Sequence, residues 1–212
     1  PLGPFTKLKQ ADGGMLLGTD NQRFDHLSGP GHHSFVETDG KLYVLYHQHV
    51  DVTVGGANRA VSLDEVKFVK NGKGQEVMYV NGPTKSPQLL PEFACEYKNI
   101  APEATIKAST GEDASMLTDG LITIFSYIDY VKEFESMKDV TFTLTFKDYR
   151  EVTGLMIYNS KIYSEAFDDI SQIKIYCREG EETFTGVLKN IPFYWERCKN
   201  EFADEMRPGG AA

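Results

Sequence analysis

Cysteine is scarce: Cys95, Cys177 and Cys198 are the only three in 212 residues. They show neither the Cys-x-x-Cys spacing of a metal or redox centre nor an even disulfide framework, and read as buried or incidental thiols with one bridge left open. Long apolar runs are missing as well. The longest, such as Leu42–Tyr46, fall far short of the roughly 20 residues that a membrane-spanning helix needs, so no membrane span is expected. Nor is there a cationic excess. Lysine and arginine number 22 against 31 aspartates and glutamates, a net charge of −9, so nothing offsets repulsion from a phosphate backbone and no nucleic-acid partner is expected. The opening Pro-Leu-Gly-Pro lacks the basic stretch and apolar core of an export signal. It reads as the start of a segment of a longer chain, and so assigns the parent protein to no compartment.

Several chemical signatures are also absent. The chain has no Gly-x-Ser-x-Gly elbow, no phosphate-cradling glycine loop, no Cys/His dyad and no dinucleotide fingerprint. The acidic neighbours Asp64-Glu65 and Asp168-Asp169 would diverge on a strand or be solvated on a loop, which makes neither a persuasive acid/base pair.

What is present is distributed unevenly. With 41% hydrophobic, 12% aromatic and 25% charged residues the chain has the composition of a folded globular protein. All five histidines lie between positions 26 and 49, and 12 of the 19 glycines precede Glu92. Residues 1–92 carry a net charge of −1 and residues 93–212 a net −8. The turn-dense stretch Asn81–Pro87 with Leu90-Pro91 ends the histidine-rich part, which places a domain boundary at about 92–99.

Period-two alternation is cleanest at Val140–Phe146, where Val140, Phe142, Leu144 and Phe146 share one face of a half-buried strand. Further strands are expected at 34–38, 42–47, 60–63, 66–70, 76–80, 105–108, 154–158, 170–177 and 182–188. Thr38-Asp-Gly40 and Lys70–Gly74 read as hairpin turns. Helical periodicity is weak throughout, and many short strands joined in this way imply a sandwich or a propeller. The non-alternating run Leu42–Tyr46 is expected to be covered on both faces.

Gly29-Pro-Gly-His-His-Ser34 places two histidines directly after a turn, with His32 and His33 expected on opposite faces of the following strand. Tyr46-His-Gln-His49 offers a second pair, His47 and His49, on one strand face at a spacing compatible with metal binding, but no third ligand follows. Arg59 opens an alternating strand, where its guanidinium would hold a carboxylate or sugar hydroxyls in a cleft, or else a surface salt bridge. Each histidine has an ordinary hydrogen-bonding role as its alternative.

In this order, Gly31–Phe35, Asp39–His47, Asn58-Arg59, Val61–Phe68 and Asn81–Thr84 resemble the C-terminal end of glycoside hydrolase family 43, over about residues 1–90. The resemblance implies the closing blades of a five-bladed β-propeller whose parent enzyme hydrolyses O-glycosidic bonds of arabinose- or xylose-containing polysaccharides with inversion. The catalytic Asp, Asp and Glu of that family sit on earlier blades, so none of them is expected within this chain, which would be inactive alone. By the same resemblance His32 matches the central histidine associated with a metal, often calcium, and with the substrate site, and Arg59 matches a substrate-binding arginine of the glycone subsite.

Asn99–Ser109, Leu117–Gly120, Val140–Phe146 and Val152–Ser160 resemble a galactose-binding-like (discoidin-type) β-sandwich over 97–212, cut short at its end. Its carbohydrate-facing aromatics would come from Tyr127, Tyr130 and Phe193–Trp195, and Asp119 would hold a turn or help bind calcium. The expected architecture is therefore all-β: terminal propeller blades (1–92) followed by an antiparallel, jelly-roll-like sandwich (97–212). A plant-type polysaccharide is the implied partner, and a secreted, periplasmic or cell-surface parent the implied location. The competing reading is a non-catalytic carbohydrate-binding or adhesion module.

Overall fold

The computed structural model describes residues 2–19, 28–50, 58–84, 98–122, 128–152, 154–158, 167, 170–176 and 182–188. The chain divides into two compact units, one of residues 1–99 with 121–133 and the other of residues 100–120 with 134–212. Residues 121–133, grouped with the second domain on sequence grounds, thus pack with the first unit. Among the described residues the protein is all-β, with eight strands, every pairing antiparallel and no α-helix. No described helix is long and apolar enough to cross a membrane.

The first unit is built on a four-stranded up-and-down sheet in the order β1-β2-β3-β4: β1 Gly31–Thr38, β2 Lys41–His49, β3 Arg59–Lys70 and β4 Glu76–Val80. Asp39 and Gly40 join β1 to β2 with φ of 53° and 70°, the positive angles of a two-residue hairpin turn whose twist suits the flanking strands. At the turn between β3 and β4, the Asn71 side-chain oxygen accepts hydrogen bonds from the backbone N–H of Lys73 and of Gln75. The sequence pattern splits β3 in two at Asp64-Glu65. The strand nevertheless runs unbroken, because Asp64 finds buried donors on one face while Glu65 pairs with Lys67 Nζ at 2.8 Å on the other.

Both faces of this sheet are covered, which is why β2 alternates poorly and buries Tyr43, Val44, Tyr46 and Gln48. On one face Val44, Tyr46, Val66 and Val80 form a core closed by Leu16 and Leu17 of the N-terminal segment. On the other, Tyr79 packs with Ile128 and Val131 from the 121–133 segment, and its hydroxyl donates to the Ile122 carbonyl at 2.6 Å. A fully buried aliphatic or aromatic side chain contributes about 1.5–3 kcal/mol, so each cover holds its face strongly.

The second unit contains two two-stranded sheets, β5 (Thr105–Ala108) with β6 (Phe142–Thr145) and β7 (Ile170–Tyr176) with β8 (Glu182–Leu188). The alternating run around Phe142 is an antiparallel strand, shorter than its pattern. Its apolar side chains Phe142 and Leu144 are exposed, with Phe142 touching Phe134 edge to face at 4.9 Å. Residues 154–158, expected as a strand, are not one.

Candidate functional site

The histidines gather at the end of the first sheet where β1 begins, β2 ends and β3 begins. Register sets this up: Arg59 lies directly across from His49, Val61 from His47 and Gly31 from His47. Opposed residues on antiparallel strands project to the same face, and residues two apart along a strand share it. Arg59, Val61, His47 and His49 therefore project from one face.

His32 joins them through an irregularity. Gly31 pairs with His47 but Ser34 pairs with Leu45, so the two residues His32 and His33 stand opposite the single residue Tyr46. This is a bulge, the device that re-aims a side chain at a strand end. His32 takes φ of 53°, a left-handed backbone that costs a non-glycine residue free energy. Its exposed ring lies 6.2 Å from that of His47. His33 takes the other direction. Its ring meets Phe35 edge-on at 5.4 Å, and both line an apolar groove of about 430 Å³ with Leu16, Leu17 and Val44.

His49 is held from behind. Its Nδ1 is 3.2 Å from Ser28 Oγ, and its backbone N–H donates to the Ser28 carbonyl at 3.0 Å. Gly29, at φ 59°, lies so close that a Cβ there would come within 2.4 Å of the imidazole. Partial desolvation, followed by the positive charges of Arg59, His32 and His49, holds the His47 pKa below the ordinary histidine value. Its imidazole is thus neutral at pH 7, with one nitrogen to donate and one to accept.

Directly beneath, on the opposite face of β2, lies a buried polar cluster. The Tyr46 hydroxyl donates to Asp64 Oδ2 at 2.5 Å, and the Thr84 hydroxyl donates to Asp64 Oδ1 at 2.7 Å. The Thr84 N–H is shared between the Tyr46 oxygen at 3.0 Å and Asp64 Oδ2 at 3.2 Å. Gln48 Nε2 donates to Ser62 Oγ at 2.6 Å and to the Thr84 carbonyl at 3.3 Å. Burial first, then the Asp64 charge and the bond to it, push the Tyr46 phenol far above its usual range, so it remains a donor. Tyr46 and Gln48 alternate with His47 and His49 along β2, so this cluster fixes the backbone that presents the histidines. Sequence reasoning passes over Asp64 as half of a solvated acidic pair. The available signal is its parity: Asp64 falls on the same side of β3 as Val66, the core side.

The structure brings together His32, His47, His49 and Arg59, and separates His33 from them. Tyr130, a candidate sugar platform, is partly buried and packs edge-on against Tyr79 at 6.4 Å in the core of the first unit. Asp119 follows the short 3-10 turn Ser115–Thr118. His26, Tyr127, Phe193–Trp195, Asp168-Asp169 and all three cysteines lie outside the described residues.

Calcium takes oxygen ligands. Among the described residues, the side chains gathered at the His32 end of the sheet offer imidazole nitrogens and a guanidinium, which do not fit that ion. Among the described residues no three His, Cys, Asp or Glu side chains converge to hold a metal. Comparison with protein-family models, with curated proteins and with solved structures gives no match.

Proposed function

We propose that residues 1–92 are the closing part of a five-bladed β-propeller glycosidase similar to glycoside hydrolase family 43, and that 97–212 are an appended galactose-binding-like sandwich. The parent enzyme acts on arabinose- or xylose-containing polysaccharide outside the cytoplasm. One observation carries the reading: His32 and Arg59, the two residues the resemblance assigns to the sugar site, stand on β1 and β3 on either side of His47 at one end of a four-stranded up-and-down sheet. Such a sheet is the unit from which propeller blades are made.

The chemistry suits sugar hydroxyls. Arg59 offers a planar fork of N–H donors, and the neutral His47 imidazole offers one donor and one acceptor, a set that matches vicinal hydroxyls able to do both. These residues bind and orient. Bond cleavage falls to carboxylates that other blades contribute, and any calcium at the propeller centre takes its oxygen ligands from elsewhere.

The test is a titration of the 212-residue chain with xylo- and arabino-oligosaccharides, followed by NMR through the histidine ring protons and the backbone amides of both units. Shifts at His32 and His47 are expected, weakened about tenfold in Arg59→Ala, the loss of roughly one charge-assisted hydrogen bond. Aryl arabinosides and xylosides should not be hydrolysed. Shifts confined to the second unit would favour the non-catalytic binding module, and silence of all histidines at saturating sugar would sink the glycosidase reading.

A further inference from the structure

At the histidine end of the sheet Arg59 carries the formal positive charge of the site, in a chain of net charge −9. Arg59 is exposed, and among the described residues it has no carboxylate partner. The charged groups that act on His47 come from each of the three strands: His32 from β1, His49 from β2 itself and Arg59 from β3, with no Asp or Glu among them. Among the described residues Arg59 is thus left open to a negative group supplied by a ligand.

We propose that this end of the sheet binds the carboxylate of an acidic sugar, so that its ligand is a glycan bearing uronic acid rather than a wholly neutral pentose chain. The proposal rests on the carbohydrate reading above and narrows it. The Arg59 fork matches the two carboxylate oxygens with parallel N–H donors, a match that a neutral hydroxyl cannot reproduce. His49, opposite Arg59 and braced by Ser28, stands beside it on the same face, and the His32 and His47 rings lie 6.2 Å apart at the same end of the sheet. The bulge at His32 makes this possible, since regular pairing would not carry an extra residue toward His47.

Isothermal titration of the full chain at pH 7 and low salt compares four probes: a xylo-oligosaccharide bearing one glucuronic acid, the same oligosaccharide without it, sodium glucuronate and sodium acetate. The expected result is at least tenfold tighter binding of the uronate-bearing oligosaccharide than of its neutral counterpart. That preference should vanish in Arg59→Gln, survive in part in Arg59→Lys, and shrink in His49→Gln. Both Arg59 variants should keep the wild-type thermal melt because the side chain is exposed. Equal binding of the two oligosaccharides overturns the carboxylate proposal and leaves the sugar site standing. If neither oligosaccharide binds, both readings fall. Acetate as tight as the uronate-bearing oligosaccharide reduces the site to a general anion contact and overturns the proposal too.

Discussion

Asp64 is 1% exposed and yet polar, which makes it the residue on which most depends. Its two oxygens receive the Tyr46 hydroxyl, the Thr84 hydroxyl and a share of the Thr84 N–H; removing it leaves the two buried hydroxyls without this acceptor, while the N–H keeps the Tyr46 oxygen. Each such orphan costs about 1–3 kcal/mol. Asp64→Ala should therefore destabilise the first unit by at least about 2 kcal/mol in urea unfolding. Gly82 probes the same place sterically. A Cβ there would come 2.1 Å from Asp64 Oδ2, so Gly82→Ala should cost about 2 kcal/mol by overpacking. His47 offers a pH test. Its folded pKa lies below the unfolded value, so the neutral form is the one the fold prefers. That contribution is whole above pH 6.5 and is lost as pH falls from there toward the folded pKa. The gap in urea midpoint between wild type and His47→Gln should thus narrow between pH 7.5 and pH 5, as acid removes the wild type's share.

Among the strands, β1 carries the most information per residue. Its bulge holds His32 in a left-handed backbone, an arrangement of the kind found where function rather than stability selects the residue. His32→Gly should raise stability by about 1 kcal/mol while abolishing any sugar-induced shift at His47, a pairing readable from thermal melts and NMR on one variant. The hairpins of the first unit were legible because alternation and Asp39-Gly40 specify them locally. The bulge was not, since one extra residue leaves the apolar pattern of a strand intact. β3 looked like two strands because Asp64 interrupts its apolar run, and only the buried donors on neighbouring segments explain how it continues. At the site, the i, i+2 spacing of His47 and His49 gave their shared face, and the resemblance pointed to His32 and Arg59. That Arg59 stands across from His49 is a matter of register between two strands, which spacing alone does not encode.

For the molecule as a whole, the two units are defined by contacts rather than by one cut in the sequence. The Asn81–Pro91 turns and the change in charge mark where the histidine-rich part ends, but nothing periodic in residues 121–133 announces that they pack with Tyr79 and Val69 of the first unit. The segment supplies Ile128 and Val131, both 2% exposed. A chain ending at Asn99 should therefore be markedly less stable than one ending at Glu133. The expected difference is about 3 kcal/mol or more, the loss of two buried aliphatic side chains, measured by urea unfolding followed at Tyr79.

The return of 121–133 to the first unit also dictates an order of events during synthesis. β4 leaves the ribosome some 50 residues before Ile128 and Val131 do, an interval of several seconds at ordinary translation rates. Through that interval the Tyr79 face of the sheet has no cover. The nascent chain must keep an apolar sheet face from finding a partner in another molecule, so slowing translation between residues 80 and 130 should lower the yield of soluble protein more than slowing it anywhere after residue 133.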